Sequence, residues 1–161
     1  MEKLKEIASY ICIRYQHEFG QPIDEMKLHK LLYFVQRESL IQLGTPLFAE
    51  KFQAWKYGPV LIQIRQWYRD SVLDTPLADE TVEKYKSVFD KIFEHYAPKD
   101  SWSLSCLTHS EYSWKKARTS VLEWENSSNE IELEDIRQDA ERIKQRRFLL
   151  NKLHKTRIGL I

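Results

Sequence analysis

Apolar positions along this chain fall into helical stripes separated by sharp stops. Leu4, Ile7, Ala8, Ile11, Cys12 and Tyr15 recur at intervals of three and four, the spacing of one helix face. Gly20 and Pro22 close that segment, and Asp24 stands where an N-cap opens the next. The second stripe holds Met26, Leu28, Leu31, Leu32, Phe34, Val35 and Leu40, and is apolar on nearly every side around Leu31 to Val35. A helix with no polar face belongs in the centre of a fold, so this one is expected to be the most buried. Gly44 stops it and Pro46 prevents its resumption.

The stretch "EKFQAWKYGPV", Glu50 to Val60, breaks the helical rhythm. Phe52 and Ala54 alternate with Gln53 and Trp55, and the aromatic content with flanking punctuation predicts a short strand. Its backbone groups need a partner, for which Leu47-Phe48 and Glu130 to Leu133 are the candidates. Gly58-Pro59 reads as a helix start with Pro59 in the first helical position, followed by an apolar face of Val60, Ile64, Trp67 and Tyr68. Val82, Tyr85, Phe89, Ile92, Phe93 and Tyr96 predict a further helix ending before Pro98. Ser101 is placed to cap another, carrying Trp102, Leu104, Cys106 and Leu107. A turn is expected between Ser110 and Ser113, a surface loop at "ENSSNE", and a last helix from Leu133 or Glu134. The pattern predicts a mainly α, single compact domain. About six helices surround the Leu28 to Val35 helix, with a small two- or three-stranded β element.

Composition narrows the function classes. The chain has 161 residues, enough for one domain with a real core, and its 25 basic and 24 acidic residues nearly cancel. That balance argues against a whole-domain nucleic-acid binder. The first twenty residues are amphipathic but carry acids and no signal-peptide core, and no apolar run reaches the roughly 18 residues of a membrane span. Cys12 and Cys106 lie far apart in apolar helical contexts. Both are expected to be buried free thiols, which suits a reducing cytoplasm.

Candidate chemistry is sparse. Four scattered glycines cannot form a phosphate loop, and neither the cysteines nor the five histidines have zinc spacing. His109 and Glu111 form the only close His–carboxylate pair, in a polar turn; it reads as a base with an orienting acid or as a local brace of the turn. A Cys106–His109 dyad lacks any oxyanion hole nearby. No catalytic residue, metal ligand or cofactor is expected. Five tryptophans are present, mostly for the core, with Trp124 expected outside. In the last helix acids crowd the start, from Glu130 to Glu141, and bases the end, from Arg142 to Arg157. This complements the helix dipole or makes a basic tail for an acidic partner or RNA. Phe148, Leu149, Leu150, Leu153, Ile158, Leu160 and Ile161 stand among those bases and must be covered by this chain or by another.

The blocks "MKLHKLLYFVQ", "GTPLF", "FQAWKYGPV", "LTHSEYSWKKAR" and "IELEDI", in this order, closely resemble the Panacea domain, the SocA-like and GepA-like antitoxin family. The resemblance extends to about Ile136 and assigns residues 1–141 to that domain, with 142–161 as a C-terminal extension. Ser113 stands where the family commonly has a proline before the tryptophan. The resemblance implies an antitoxin, often carried by a prophage, that neutralises a cognate toxin encoded beside it by direct protein–protein binding. It implies no enzymatic activity. Alternatives are an adaptor delivering a bound toxin to an ATP-dependent protease, and an RNA-binding regulator using the basic tail. Some family members carry a fused DNA-binding domain; none is expected here, nor direct DNA binding. The candidate partner contacts are Lys56, Tyr57, Gly58 and Pro59 at the corner, and Arg146, Arg147 and Phe148 in the tail.

Overall fold

The computed structural model describes residues 1–159. Among them are eight helices and one hairpin, in the order α1 (Leu4–Phe19), α2 (Glu25–Leu43), β1 (Gln53–Trp55), β2 (Gly58–Val60), α3 (Ile62–Arg69), α4 (Asp79–Lys84), α5 (Lys86–His95), α6 (Ser101–His109), α7 (Tyr112–Ala117) and α8 (Leu133–Gly159). Every residue from Lys27 to Leu40 in α2 is buried, so the helix without a polar face is indeed the axis of the fold. Five of the other helices lay apolar residues on it: Leu4, Ile7 and Ile11 from α1, Ile64 from α3, Phe89 and Ile92 from α5, Leu104 from α6 and Ile136 from α8. No helix among the described residues is long and apolar enough to cross a membrane.

The punctuation acts largely as its chemistry dictates. Gly20 and Gly44 end α1 and α2 in left-handed geometry. The Asp24 carboxylate accepts the Lys27 N–H at 2.8 Å, capping α2, and also accepts the Ser101 hydroxyl at 2.8 Å. One side chain thus ties the starts of α2 and α6 together. An Asp24→Ala protein is expected to lose about 1 kcal/mol, the usual value of a cap, read as a shift in the denaturant midpoint.

Four local expectations need correction. Gly58-Pro59 does not begin a helix. These residues form β2, with Trp55 opposite Gly58 and Ala54 opposite Pro59, and the helix starts at Ile62. Proline fits here because the Ala54 carbonyl opposite takes its donor from Arg118 at 2.9 Å, and the Ala54 N–H donates to the Asn129 carbonyl at 2.8 Å, so no N–H is asked of position 59. Ser101 is not a cap but the first helical residue; Asp100 accepts the Ser103 N–H at 2.9 Å instead. The stripe from Val82 to Tyr96 is split at Tyr85, where φ −104° and ψ 14° end α4 and start α5. Only the α5 half follows the core; α4 buries none of its residues. Cys106 is exposed rather than buried, whereas Cys12 is half-buried and burial pushes its thiol up to about 12.

Of the two candidate partners for β1, the Glu130 segment is the one used. Gln53 bridges Glu130 in antiparallel fashion, and the Ile131 N–H donates to the Phe52 carbonyl at 2.8 Å. Leu47 and Phe48 instead receive the Gln36 side chain: its amide oxygen accepts from Leu47 N–H at 2.8 Å and its NH2 donates to the Phe48 carbonyl at 2.8 Å.

Candidate partner-binding surface at the hairpin tip

The tip of the hairpin is a two-residue turn, Lys56-Tyr57, followed by Gly58 at φ 112°. The connection needs one residue of positive φ, and glycine supplies it without a Cβ penalty. Glycine is also required by space. A Cβ at position 58 would lie 2.5 Å from Thr108 Oγ1 and 2.7 Å from Lys30 Cε.

Neighbouring elements hold the tip from several sides. The Ser105 hydroxyl, on α6, donates to the Tyr57 carbonyl. From α7 the Trp114 indole N–H donates to the Trp55 carbonyl at 2.9 Å, and Arg118 donates to the Ala54 carbonyl at 2.9 Å. Asn126 accepts the Lys56 N–H at 3.1 Å. On the opposite side Lys30 Nζ donates to the Pro59 carbonyl at 3.1 Å, and His29 Nδ1 accepts the Leu61 N–H at 3.2 Å. Main-chain carbonyls that a two-stranded hairpin would leave to water are thereby satisfied by side chains. The loop cannot relax without breaking contacts to α2, α6 and α7.

What this braced tip exposes is aromatic. Tyr57 is 47% exposed and Trp102 on α6 is 61% exposed, with their rings 6.2 Å apart. Two concavities flank them. One, of about 390 Å3, is lined by Glu25, Met26, His29, Lys30, Trp55 and Arg65 among others. The other, of about 590 Å3, lies between the tip, Trp102, Trp114, Lys115 and Arg118. Trp124 is exposed as expected; Trp102 is exposed as well, which its place in an apolar helical stripe did not suggest.

The residues singled out as candidate contacts divide sharply. Tyr57 is exposed, Lys56 is half-buried with its Nζ over the Tyr57 ring, and Gly58 and Pro59 are buried. In the tail Arg146 and Phe148 are exposed, while Arg147 is engaged in a bidentate pair with Glu38 at 2.8 and 2.9 Å. Burial by itself would raise Glu38; hydrogen bonds from Arg147 and Gln42 more than offset that and hold its carboxyl below the ordinary range. Arg147 therefore clasps α8 to α2. Beyond the clasp Phe148, Leu149, Leu150 and Leu153 are exposed, so the described residues do not cover these four apolar side chains. Leu160, Ile161 and the Ile158 side chain lie outside what the structure describes.

His109 and Glu111 do not form a pair. The His109 ring stacks on Trp114 with centroids 4.2 Å apart. Glu111 points into the interior, where Arg37 binds it and Arg142 approaches within 3.5 Å. Burial pushes the Glu111 carboxyl up to about 7, against the pull of Arg37 and with the push of Asp139. Beside it Asp139 accepts the Tyr112 and Ser113 N–H groups at 2.9 Å and the Tyr33 hydroxyl at 3.2 Å. This is a structural network joining α2, α7 and α8. Among the described residues, no three His, Cys, Asp or Glu side chains are grouped to hold a metal.

Comparison with known proteins agrees with the sequence motifs. Antitoxin SocA of Caulobacter vibrioides (strain NA1000 / CB15N) is 49% identical over 39 residues, a segment covering 24% of this chain and 21% of that protein. No solved structure matches significantly. The family described as Antitoxin SocA-like, Panacea domain, matches residues 28–115, more than half of the 161-residue chain. That span runs from α2 through the hairpin to Lys115 in α7, and so contains the tip with its braces Lys30, Ser105 and Trp114, while Arg118 and Asn126 lie beyond it. The chain belongs to the Antitoxin SocA-like, Panacea domain family.

Proposed function

We propose that this protein is an antitoxin that neutralises a cognate protein toxin by binding it directly, without catalysis, and that the hairpin tip is a principal contact. The observation that carries this reading is the exposure of Tyr57 and Trp102 on a backbone fixed from three helices. Aromatic anchors of this kind dominate binding energies, and a surface held in place before the encounter loses little entropy on association. Family membership supports the antitoxin role itself.

The exposed Phe148, Leu149, Leu150 and Leu153 make the end of α8 a second contact region. Their apolar character supports a protein rather than RNA as what meets the tail, because electrostatic binding to RNA makes little use of aliphatic side chains. The separation of His109 from Glu111 supports a role without acid–base catalysis.

The test is co-expression with the toxin encoded beside this gene, combined with a direct binding measurement. The protein is expected to rescue growth and to bind. Tyr57→Ala with Trp102→Ala is expected to weaken binding at least tenfold while leaving the thermal midpoint within a few degrees of the parent, since both side chains are largely in water. Failure to rescue and to bind overturns the antitoxin reading. Unchanged affinity in the folded double variant removes the tip from it.

A further inference from the structure

The 390 Å3 pocket beside the hairpin contains one donor with no partner among the described residues, His29 Nε2–H, and one that uses only a single acceptor, Lys30 Nζ. Its polar lining includes His29 and Lys30, and its apolar lining Met26, Trp55, Tyr57 and Val60. His29 is buried, and its Nδ1 accepts the Leu61 N–H. A neutral imidazole with Nδ1 as acceptor carries its proton on Nε2. That Nε2 is enclosed and has no hydrogen-bond partner. The ring stays neutral: burial, helped by the charges of Lys30 and Arg65, pushes it down to about 3.

Lys30 is 1% exposed and lies one residue further along α2. An ammonium has three protons to donate. One reaches the Pro59 carbonyl; for the other two the described residues offer no acceptor, and no carboxylate among them lies within 4 Å. Arg65, which also lines the pocket, is paired with Glu25 at 3.5 Å, so that acid is already engaged. With Lys30 protonated, a buried charge with two idle donors lines the same pocket as a buried N–H with none of its bonding made, which is costly unless something supplies acceptor oxygens and a negative charge.

We propose that this pocket binds a carboxylate, whose oxygens accept from Lys30 Nζ and His29 Nε2–H while its organic stem lies against Trp55 and Tyr57. The single positive charge of the protonated Lys30 amine matches a monoanion. The aromatic and aliphatic lining matches a carbon stem better than a bare inorganic ion. The sources are an acidic side chain of a bound protein or a free organic acid. The pocket adjoins the exposed tip, and an acid on a docking protein can reach it there.

A pH signature follows. Burial pushes Lys30 down to about 7, against the opposing charges of Glu25 and Asp24. The titratable and charged groups facing it are Asp24 just before α2, Glu25 on α2, Arg65 on α3, Lys56 at the tip and His109 on α6, with His29 neutral and His109 held below its ordinary value by burial and by Lys30. Carboxylate binding favours the protonated amine, so affinity is expected to fall as pH rises above about 7, by roughly tenfold between pH 7 and pH 8.5.

The experiment titrates the full chain with sodium phenylacetate and, separately, with neutral phenylacetamide, following the imidazole N–H of His29 by NMR. The acid is expected to shift this resonance, with affinity decreasing as pH rises, and the amide to shift it weakly. In Lys30→Met, whose fold is checked by its thermal midpoint, the acid should bind at least tenfold more weakly. No shift with the acid in the parent protein, or equal binding of acid and amide, overturns the proposal whether or not the variant folds. A competition arm separates the sources. Saturating phenylacetate displaces the toxin if the pocket receives an acidic side chain of that protein, and leaves it bound if the ligand is a free acid. The titration needs no toxin, so failure of the antitoxin reading leaves it intact.

Discussion

Gly58→Ala is expected to cost on the order of 4 kcal/mol, summing backbone strain and overpacking in the core range. Position 58 has φ 112°, a conformation that residues with a Cβ rarely adopt. The added methyl would also meet Thr108 Oγ1 at 2.5 Å and Lys30 Cε at 2.7 Å. Neither neighbour can easily give way. Thr108 is fully buried, with its hydroxyl donated to the Ser105 carbonyl at 2.7 Å, and Lys30 is anchored on the Pro59 carbonyl. Relief would have to come from moving the hairpin, which breaks its ties to α6 and α7. Gly44→Ala is the control: φ is 73° there, but nothing lies within 4 Å of a Cβ, so only backbone strain of about 1 kcal/mol applies. Urea unfolding of the two proteins checks this. Similar losses in both would mean that the contact with Thr108 and Lys30 does not constrain the tip.

Arg37→Met is expected to cost about 3–5 kcal/mol, the range found when one partner of a buried ion pair is removed. Arg37 is buried, pairs with Glu111, donates to the Tyr96 hydroxyl at 2.6 Å and lies over the Phe34 ring at 4.9 Å. Methionine keeps much of the stem's packing, so the loss falls mainly on the charge of Glu111. That loss should depend on pH. Glu111 already sits near 7 through burial, and without Arg37 it moves higher still. A folded-state carboxyl raised above its unfolded value binds more protons when folded, so its contribution to stability declines as pH rises through that window. The variant is therefore expected to be hurt less at pH 5, where Glu111 takes up a proton, than at pH 8. Arg37→Met with Glu111→Gln should recover much of the loss, because no buried charge is then left unpaired. Equal losses at both pH values would show that the pair contributes through packing alone.

Much of the helical scaffold was legible because it depends on local rules. The stripe periodicities of α1 and α2, the Asp24 cap and the stops at Gly20 and Gly44 are properties of neighbouring residues, and each is where the pattern puts it. The unbroken apolar run from Leu31 to Val35 likewise announced a central helix. Pro59 shows where local rules fail. A Gly-Pro pair before an apolar stripe suits a helix start, but whether it becomes one depends on what lies opposite. Here Ala54 lies opposite and its carbonyl takes its donor from Arg118, 64 residues away in sequence, so proline can occupy β2 without loss.

The candidate site was read only in part for the same reason. The motif around "AWKYGPV" marked the corner, and the exposed Tyr57 lies in it. Trp102 was missed: an aromatic in a helical stripe reads as core, and only the orientation of α6 puts it in solvent beside Tyr57. His29 and Lys30 carried no warning either, since a lysine in a helix is ordinarily at the surface. Their burial arises because α2 is surrounded on all sides, and their pairing with the hairpin links residues about thirty positions apart.

By itself, then, the sequence determined the helical class, the central helix, most of the stops and the family, all of which rest on spacing and on motifs. The tertiary structure decided which polar groups are left without partners among the described residues, which aromatics face water, and that Arg147 clasps α8 to Glu38 while Phe148, Leu149, Leu150 and Leu153 beyond it are exposed. The physical reason is range. Periodicity and capping are set within a turn or two of the chain, whereas burial and hydrogen-bond satisfaction are set by whatever the fold brings alongside.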